Sequence, residues 1–194
     1  MELKAIFGIL SSIFVLIGGA PYIKDIYYKK AHPHVLSWTG WGFITALGGF
    51  AMLAEGSKWV VAILFANTLL CLIVAGYSII NKVGVLSTSK IDFVFFGLGI
   101  LGLILWQTLN LPILAIICAI VADFSFGLPT IIKTYKNPKS ETYFVWFTAT
   151  ISGLLSLFAI QNFTFSGAGY PLYLFIYDTI VLLLVLKLIR KKIN

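Results

Sequence analysis

The sequence predicts an all-α polytopic membrane protein with seven transmembrane helices, arranged as two parallel three-helix repeats joined by a linker helix. Three observations predict this fold: an apolar composition, a series of apolar segments of membrane-spanning length, and a duplicated motif. The 194 residues are 60% apolar and only 11% charged, whereas about 25% charged is usual for a soluble domain. Mean hydropathy is +1.00, which favours a membrane protein.

Seven apolar segments each approach the roughly 20 residues that a helix needs to cross the hydrocarbon core. The predicted helices lie at about 5–28, 35–56, 59–80, 92–108, 111–135, 143–161 and 170–190. The linkers between them are short and carry turn residues, as in NPKS at 137–140 and FSGAGYP at 165–171. The first segment is interpreted as a retained helix, because little charge precedes it and a proline follows its small residues.

The basic residues predict the orientation in the membrane. The net charge of +7 comes from short groups of Lys and Arg between apolar segments, which is typical of topology signals and argues against nucleic-acid binding. With the N-terminus outside, 12 of the 14 basic residues fall on the inner side, and only Lys4 and Lys58 fall outside. We therefore expect an N-out, C-in protein of a bacterial or archaeal cell membrane.

A motif recurs at a spacing of 108 residues. The aligned pairs are Pro21 and Pro129, Ile23 and Ile131, Tyr27 and Tyr135, Trp38 and Trp146, and, with three extra residues in one loop, Asn67 and Asp178. Residues 1–82 and 110–194 are therefore expected to be three-helix repeats, with 83–109 as the linker helix. Because three spans invert the chain, this extra crossing makes the repeats parallel, as in one known transporter plan.

The proline motif, with its following Lys and Tyr and a helix entered through Trp, resembles the PQ-loop superfamily, which includes the SWEET sugar transporters. The chain is also similar to uncharacterised bacterial seven-helix proteins. The resemblance covers nearly the whole chain and implies a 3+1+3 arrangement of helices. The glutamine that follows the family's proline is Tyr22 in the first copy and Thr130 in the second. The polar residue that the family places on the third helix of each repeat matches Asn67 in the first copy, whereas the second copy has Asp178 instead.

Polar residues inside apolar segments are the first candidates for a binding site, because they are costly in a membrane. Asn67 can donate and accept hydrogen bonds and Asp178 adds a carboxylate, so both are expected to bind a solute near mid-membrane. The alternative for Asn67 is hydrogen bonding between helices. By the family resemblance, Phe50 and Phe158 are expected to form apolar walls. Trp41 lies about one turn deeper in its helix than Trp38 and is expected to line the inner vestibule.

Asp123 and Asp178 are also candidates for proton coupling or for holding a cationic group of a substrate. Neither has a cation three or four residues away in its own helix. The alternative is a structural hydrogen bond from Ser, Thr or Tyr on a neighbouring helix. Pro21 and Pro129 are candidate hinges, because a proline frees a carbonyl one turn earlier; the alternative is a static kink.

Three tryptophans near span ends, Trp38, Trp59 and Trp146, are expected to be membrane-interface anchors. His32 and His34 lack the neighbouring cysteines or carboxylates of a metal site, so neither a metal nor a cofactor is expected. No constellation of nucleophile and base indicates an enzyme.

The sequence thus predicts a transporter or facilitator of a small polar solute, such as a sugar, working by alternating access. Proton coupling is a second hypothesis. Two alternatives stay open: a receptor that binds a peptide or small ligand in a central cavity without carrying it, and a vitamin-type transporter. The expected partners are the solute and the lipid bilayer, and a homo-oligomer is left open.

Overall fold

The structure, a computed structural model, describes residues 2–54, 59–85, 90–108, 112–161 and 163–187. Within these ranges the secondary structure is helical, apart from one β-bridge between His34 and Val85. The helices are α1 (Leu3–Tyr27), α2 (Val35–Ala54), α3 (Val60–Ile80), α4 (Lys90–Thr108), α5 (Pro112–Lys136), α6 (Tyr143–Phe158) and α7 (Phe165–Leu186), with a 3₁₀ turn at Pro138–Ser140 before α6.

Four helices in the described part of the chain, α1, α3, α5 and α7, are long and apolar enough to cross a membrane. Helix α6 is apolar but has 16 residues, about 24 Å at 1.5 Å per residue, against a hydrocarbon core of about 30 Å. The chain is therefore a helical protein with the features of a membrane protein. Seven spans and an N-out topology stay predictions.

The predicted boundaries that fall on described residues agree with the helices to within three residues, except in α7. Residues 165–171 were expected to be a turn but form the beginning of this helix, so that interpretation is wrong. Thr164 caps the helix by accepting a hydrogen bond from the Gly167 N–H at 3.1 Å. Gly and Pro misled the prediction because membrane helices contain both more often than soluble ones. The predicted helix ends at 56 and 190 and the predicted beginning at 111 lie outside the described residues.

The first three and last three helices pack in the same order. Helices α1 and α2 both pack on α3, and α5 and α6 both pack on α7. The two sets meet where α1 packs on α6 and where α2 packs on α5. These contacts close a ring of six helices, with α4 packed beside the ring, mainly on α5.

Two glycines at matched positions bring the third helix of each set close to the first. A Cβ on Gly127 of α5 would lie 2.7 Å from the Tyr177 ring of α7. A Cβ on Gly19 of α1 would overlap the Leu70 side chain of α3. Each glycine lies two residues before a proline, and both helices continue through that proline. The glycines therefore permit close packing next to the two candidate hinges.

Candidate functional site

A cavity of about 70 Å³ lies at the centre of the ring. This is several times the roughly 10–15 Å³ that one water requires. All six ring helices contribute side chains to its wall, and no described residue of α4 does. The cavity is thus shared between the two three-helix sets.

Three polar side chains singled out in the sequence lie together on this wall: Asn67 of α3, Asp123 of α5 and Asp178 of α7. Among the described residues the Asp178 carboxylate has no hydrogen-bond or ion-pair partner, although it interacts electrostatically with Asp123. The Asn67 Oδ1 atom lies 3.9 Å from the Cys71 thiol, and its amide N–H groups have no partner in the same part of the chain. Asn67 and Asp178 therefore bring uncommitted polar groups to the cavity.

Asp123 differs from Asp178 because both of its carboxylate oxygens are already used. The Tyr170 hydroxyl donates to one oxygen at 2.6 Å, and the Tyr173 hydroxyl donates to the other at 2.8 Å. These hydrogen bonds from α7 are the structural alternative that the sequence left open for this residue. Proton coupling through Asp123 stays a prediction, whereas its part in joining α5 to α7 is directly visible.

Aromatic rings form another part of the wall: Trp38 and Trp41 of α2, Trp146 of α6 and Tyr177 of α7. The Trp41 ring is central, with its centroid 5.6 Å from those of Trp38 and Tyr177 and 6.2 Å from that of Trp146. The interplanar angles of these three pairs are 81°, 75° and 73°, which is the edge-to-face arrangement that aromatic quadrupoles favour. We call these four residues the aromatic wall.

The position of the tryptophans corrects one expectation. Trp38 and Trp146 are each only 4% exposed, so the interpretation of both as membrane-interface anchors is wrong. They align in the repeat and both lie on the cavity. Trp41, which was expected in the inner vestibule, lies beside them, and the half-buried Trp59 lies away from the cavity against Gly8.

The expectation that Phe50 and Phe158 form apolar walls is wrong. Phe50 is 63% exposed and Phe158 is 56% exposed, and the ring of each packs on another phenylalanine. Phe50 follows Trp41 by nine residues, a rotation of about 180° at about 100° per residue. Phe158 follows Ala149, which lines the cavity, by the same interval. Both phenylalanines therefore point away from the centre.

Beyond the aromatic wall, a buried carboxylate joins the two three-helix sets. Glu141 precedes α6, and its side chain is fully buried. One oxygen accepts hydrogen bonds from the Tyr22 hydroxyl of α1 at 2.9 Å and from the Trp146 indole N–H at 3.0 Å. The other oxygen forms an ion pair with Lys133 of α5. Since the carboxylate is both paired and hydrogen-bonded, its burial is compensated.

The same end of the ring has three more contacts between the sets. The Thr142 hydroxyl donates to the Asp25 carboxylate at 2.8 Å. The Lys133 ammonium donates to the His32 carbonyl, and the His32 N–H donates to the Ser140 carbonyl at 2.9 Å. Together with the Tyr22–Glu141 hydrogen bond and the Lys133–Glu141 ion pair, we call these contacts the proline-end latch, because they follow the prolines of α1 and α5. The latch consists of Tyr22, Asp25, His32, Lys133, Ser140, Glu141 and Thr142.

On the opposite side of the cavity the sets are joined by two serines. The hydroxyls of Ser11 in α1 and Ser152 in α6 lie 2.9 Å apart, and each lies 2.8 Å from the other residue's backbone carbonyl. Ser11 precedes Tyr22 by eleven residues, about 16 Å along the helix, and Val15 between them lines the cavity. The cavity is therefore bounded by polar contacts at both ends.

The two histidines of the AHPH segment have local structural partners. The His32 Nδ1 atom lies 3.2 Å from the Val83 carbonyl, and the His34 Nδ1 atom lies 3.1 Å from the Ser37 hydroxyl. Within the described ranges, no three His, Cys, Asp or Glu side chains are grouped to hold a metal ion.

Comparison of the chain with protein-family models, with curated proteins and with solved structures gives no match.

Proposed function

We propose that this protein is a membrane transporter or facilitator that carries a small polar solute by alternating access, on the plan of the PQ-loop and SWEET transporters. The observation that carries the proposal is the central cavity, to which both three-helix sets contribute. Its wall holds the Asn67 amide and the Asp178 carboxylate, and among the described residues neither the Asn67 N–H groups nor the Asp178 oxygens have a hydrogen-bond partner. Polar groups without partners are costly inside a membrane protein and are characteristic of a substrate pathway.

Alternating access requires one end of the ring to open while the other stays closed. Pro21 directly precedes Tyr22 of the proline-end latch, and Pro129 lies one turn before Lys133. Each proline removes one helical hydrogen bond, so bending at these points moves the latch relative to the cavity. The distribution of basic residues, with 12 of 14 on one side, predicts that the proline end faces the cytoplasm.

Uptake into proteoliposomes tests this function. The labelled probes are choline, arginine, glucose and nicotinamide, since the substrate is not identified. We expect saturable, protein-dependent uptake of at least one probe. Asp178→Asn and Asn67→Ala should each reduce that uptake about tenfold, the effect of losing about 1.4 kcal/mol of binding. Phe50→Leu and Phe158→Leu serve as controls outside the cavity and should leave uptake unchanged.

Three results decide between the alternatives. Saturable binding of a probe without uptake of any probe would contradict transport and favour a receptor. Unchanged uptake by both cavity variants would contradict the proposed site. An uptake rate that does not respond to an imposed pH gradient would contradict proton coupling.

A further inference from the structure

We propose that the cavity binds a small organic cation, whose charged group is held by Asp178 against the aromatic wall. The inference rests on the proposed function and names the substrate class of the same site. It differs from a sugar-type substrate in requiring a positive charge. Three observations lead to it: the two carboxyl groups of the cavity wall, the aromatic rings on that wall, and the scarcity of free hydrogen-bonding groups.

The ionisable carboxyl groups of the cavity wall are those of Asp123 and Asp178, and no described Lys or Arg lines it. Lys133, on the same helix as Asp123, is engaged with Glu141 and the His32 carbonyl. A carboxylate in a medium of low dielectric constant interacts strongly with a cation placed beside it. Because Asp178 lacks a hydrogen-bond or ion-pair partner among the described residues and Asp123 has two tyrosines, a cationic ligand would pair with Asp178.

The aromatic wall is suited to the same charge. The faces of Trp rings attract ammonium groups within about 6 Å of the ring centroid, and aromatic cages are a recurrent means of binding quaternary ammonium ions. Three of the four rings of the wall are tryptophans, and they belong to the two different three-helix sets. A cation bound between these tryptophans therefore contacts both three-helix sets.

Apart from Asn67, Asp178 and the buried Trp38 indole N–H, most polar groups in the wall are hydrogen-bonded within the protein, which argues against a polyhydroxylated ligand. The Tyr177 hydroxyl donates to the Gly127 carbonyl at 2.8 Å, and the Trp41 indole N–H donates to the Asp123 carbonyl at 3.3 Å. The Ser152 hydroxyl donates a hydrogen bond to the Ser11 carbonyl of α1, and the Trp146 indole N–H donates one to the Glu141 carboxylate. A sugar needs a separate partner for each of several hydroxyl groups, whereas an ammonium ion needs one carboxylate and apolar rings.

The test compares cations with uncharged analogues of nearly the same shape. Choline is paired with 3,3-dimethyl-1-butanol, and ethanolamine with ethylene glycol. Binding to the purified full-length protein in lipid nanodiscs is measured by calorimetry and by the rise in melting temperature. We expect at least one cation to bind at least tenfold more tightly than its neutral partner, about 1.4 kcal/mol. If neither cation does so, the inference is overturned.

Variants identify the groups responsible. Asp178→Asn should weaken binding of that cation about tenfold or more and leave the neutral analogue unaffected, and Trp41→Leu should also weaken it. Glu2→Gln and Trp59→Phe are matched controls away from the cavity. Equal cation affinity in Asp178→Asn and Glu2→Gln would overturn the assignment. The comparison of ligand pairs in the unmodified protein remains decisive even where a variant does not fold.

The result is distinguishable from the test of transport, because equilibrium binding does not require flux. Choline or ethanolamine bound through Asp178, with no probe carried across the membrane, would support the cation site and contradict transport. Saturable glucose uptake, with neither cation bound nor competing, would support transport and contradict the cation site.

Discussion

Two aspartates with the same chemistry have different surroundings in this protein. Asp123 accepts hydrogen bonds from two tyrosines of α7, while Asp178 has no hydrogen-bond or ion-pair partner in the described part of the chain. Sequence alone placed both inside apolar segments and had no means to separate them, since the partners of Asp123 lie 47 and 50 residues away. The distinction matters because only an unpartnered group is free to bind a solute.

At the residue scale the sharpest stability prediction concerns Glu141. Glu141→Gln should lower the free energy of unfolding by about 3 kcal/mol, because it leaves the Lys133 ammonium without its counter-charge. Thermal unfolding of the purified protein measures the change. Glu2→Gln, at an exposed position, is the control. Lys133→Met combined with Glu141→Gln should be less destabilised than the sum of the single variants, and strict additivity would contradict the ion-pair argument.

Errors in the predicted site have a geometric origin. The sequence located aromatic residues along each helix but did not fix which way they face. Because nine residues turn a helix by about 180°, Trp41 and Phe50 cannot lie on the same face of α2. The outward orientation of Phe50 was therefore predictable once Trp41 was known to face the cavity. The burial of Trp38 and Trp146 was not predictable, since an interface anchor and a core residue occupy the same sequence position near a helix end.

At the scale of elements, the equivalent helices α1 and α5 each combine a glycine contact with a proline. Gly127→Ala should destabilise the protein by about 1–3 kcal/mol, because the added Cβ would lie 2.7 Å from the Tyr177 ring. Gly76→Ala is the matched control, since a Cβ at that helical glycine would meet no atom within 4 Å. The control should be neutral or stabilise by up to about 1 kcal/mol. Equal melting temperatures for the two variants would show that α5 and α7 are not closely packed at this point.

Helix positions were largely predictable because apolar length is a strong signal in a chain of this composition. The beginning of α7 was not, because its Gly and Pro residues suggest a turn while Thr164 supplies a helix cap. Thr164 is a residue type that caps helices, but one threonine is a weaker indication of a helix than the glycines and proline of FSGAGYP are of a turn. Reading that segment as a loop also left Tyr170, one of the two partners of Asp123, at the predicted beginning of the helix, whereas it lies within α7.

At the scale of the whole molecule, the two three-helix sets meet at two interfaces, one between α1 and α6 and the other between α2 and α5. Hydrogen bonds stabilise the α1–α6 interface at both ends of the cavity: those of Ser11 and Ser152 at one end and those of the proline-end latch at the other. The duplicated motif indicated two matched sets of helices. It did not indicate the latch, because Asp25 and Lys133 are aligned in the repeat yet differ in charge and make different contacts.

We expect the proline-end latch to hold the cavity closed at that end, and chemical labelling of Cys71 measures how often it opens. This thiol is 1% exposed and lines the cavity, and the other cysteine, Cys118, is replaced by Ser for the measurement. Thr142→Val removes the hydrogen bond to Asp25, worth about 1 kcal/mol, which should raise the population open at the proline end about fivefold.

A membrane-impermeant maleimide applied to vesicles of each orientation measures that population. We expect Cys71 of Thr142→Val to be labelled about fivefold faster from the lysine-rich side and no faster from the opposite side. Thr39→Val is the matched control, because among the described residues the Thr39 hydroxyl donates within its own helix, to the Val35 carbonyl at 2.9 Å. Faster labelling from the opposite side would contradict the direction of opening, and equal rates in the two threonine variants would show that the latch does not hold the cavity closed.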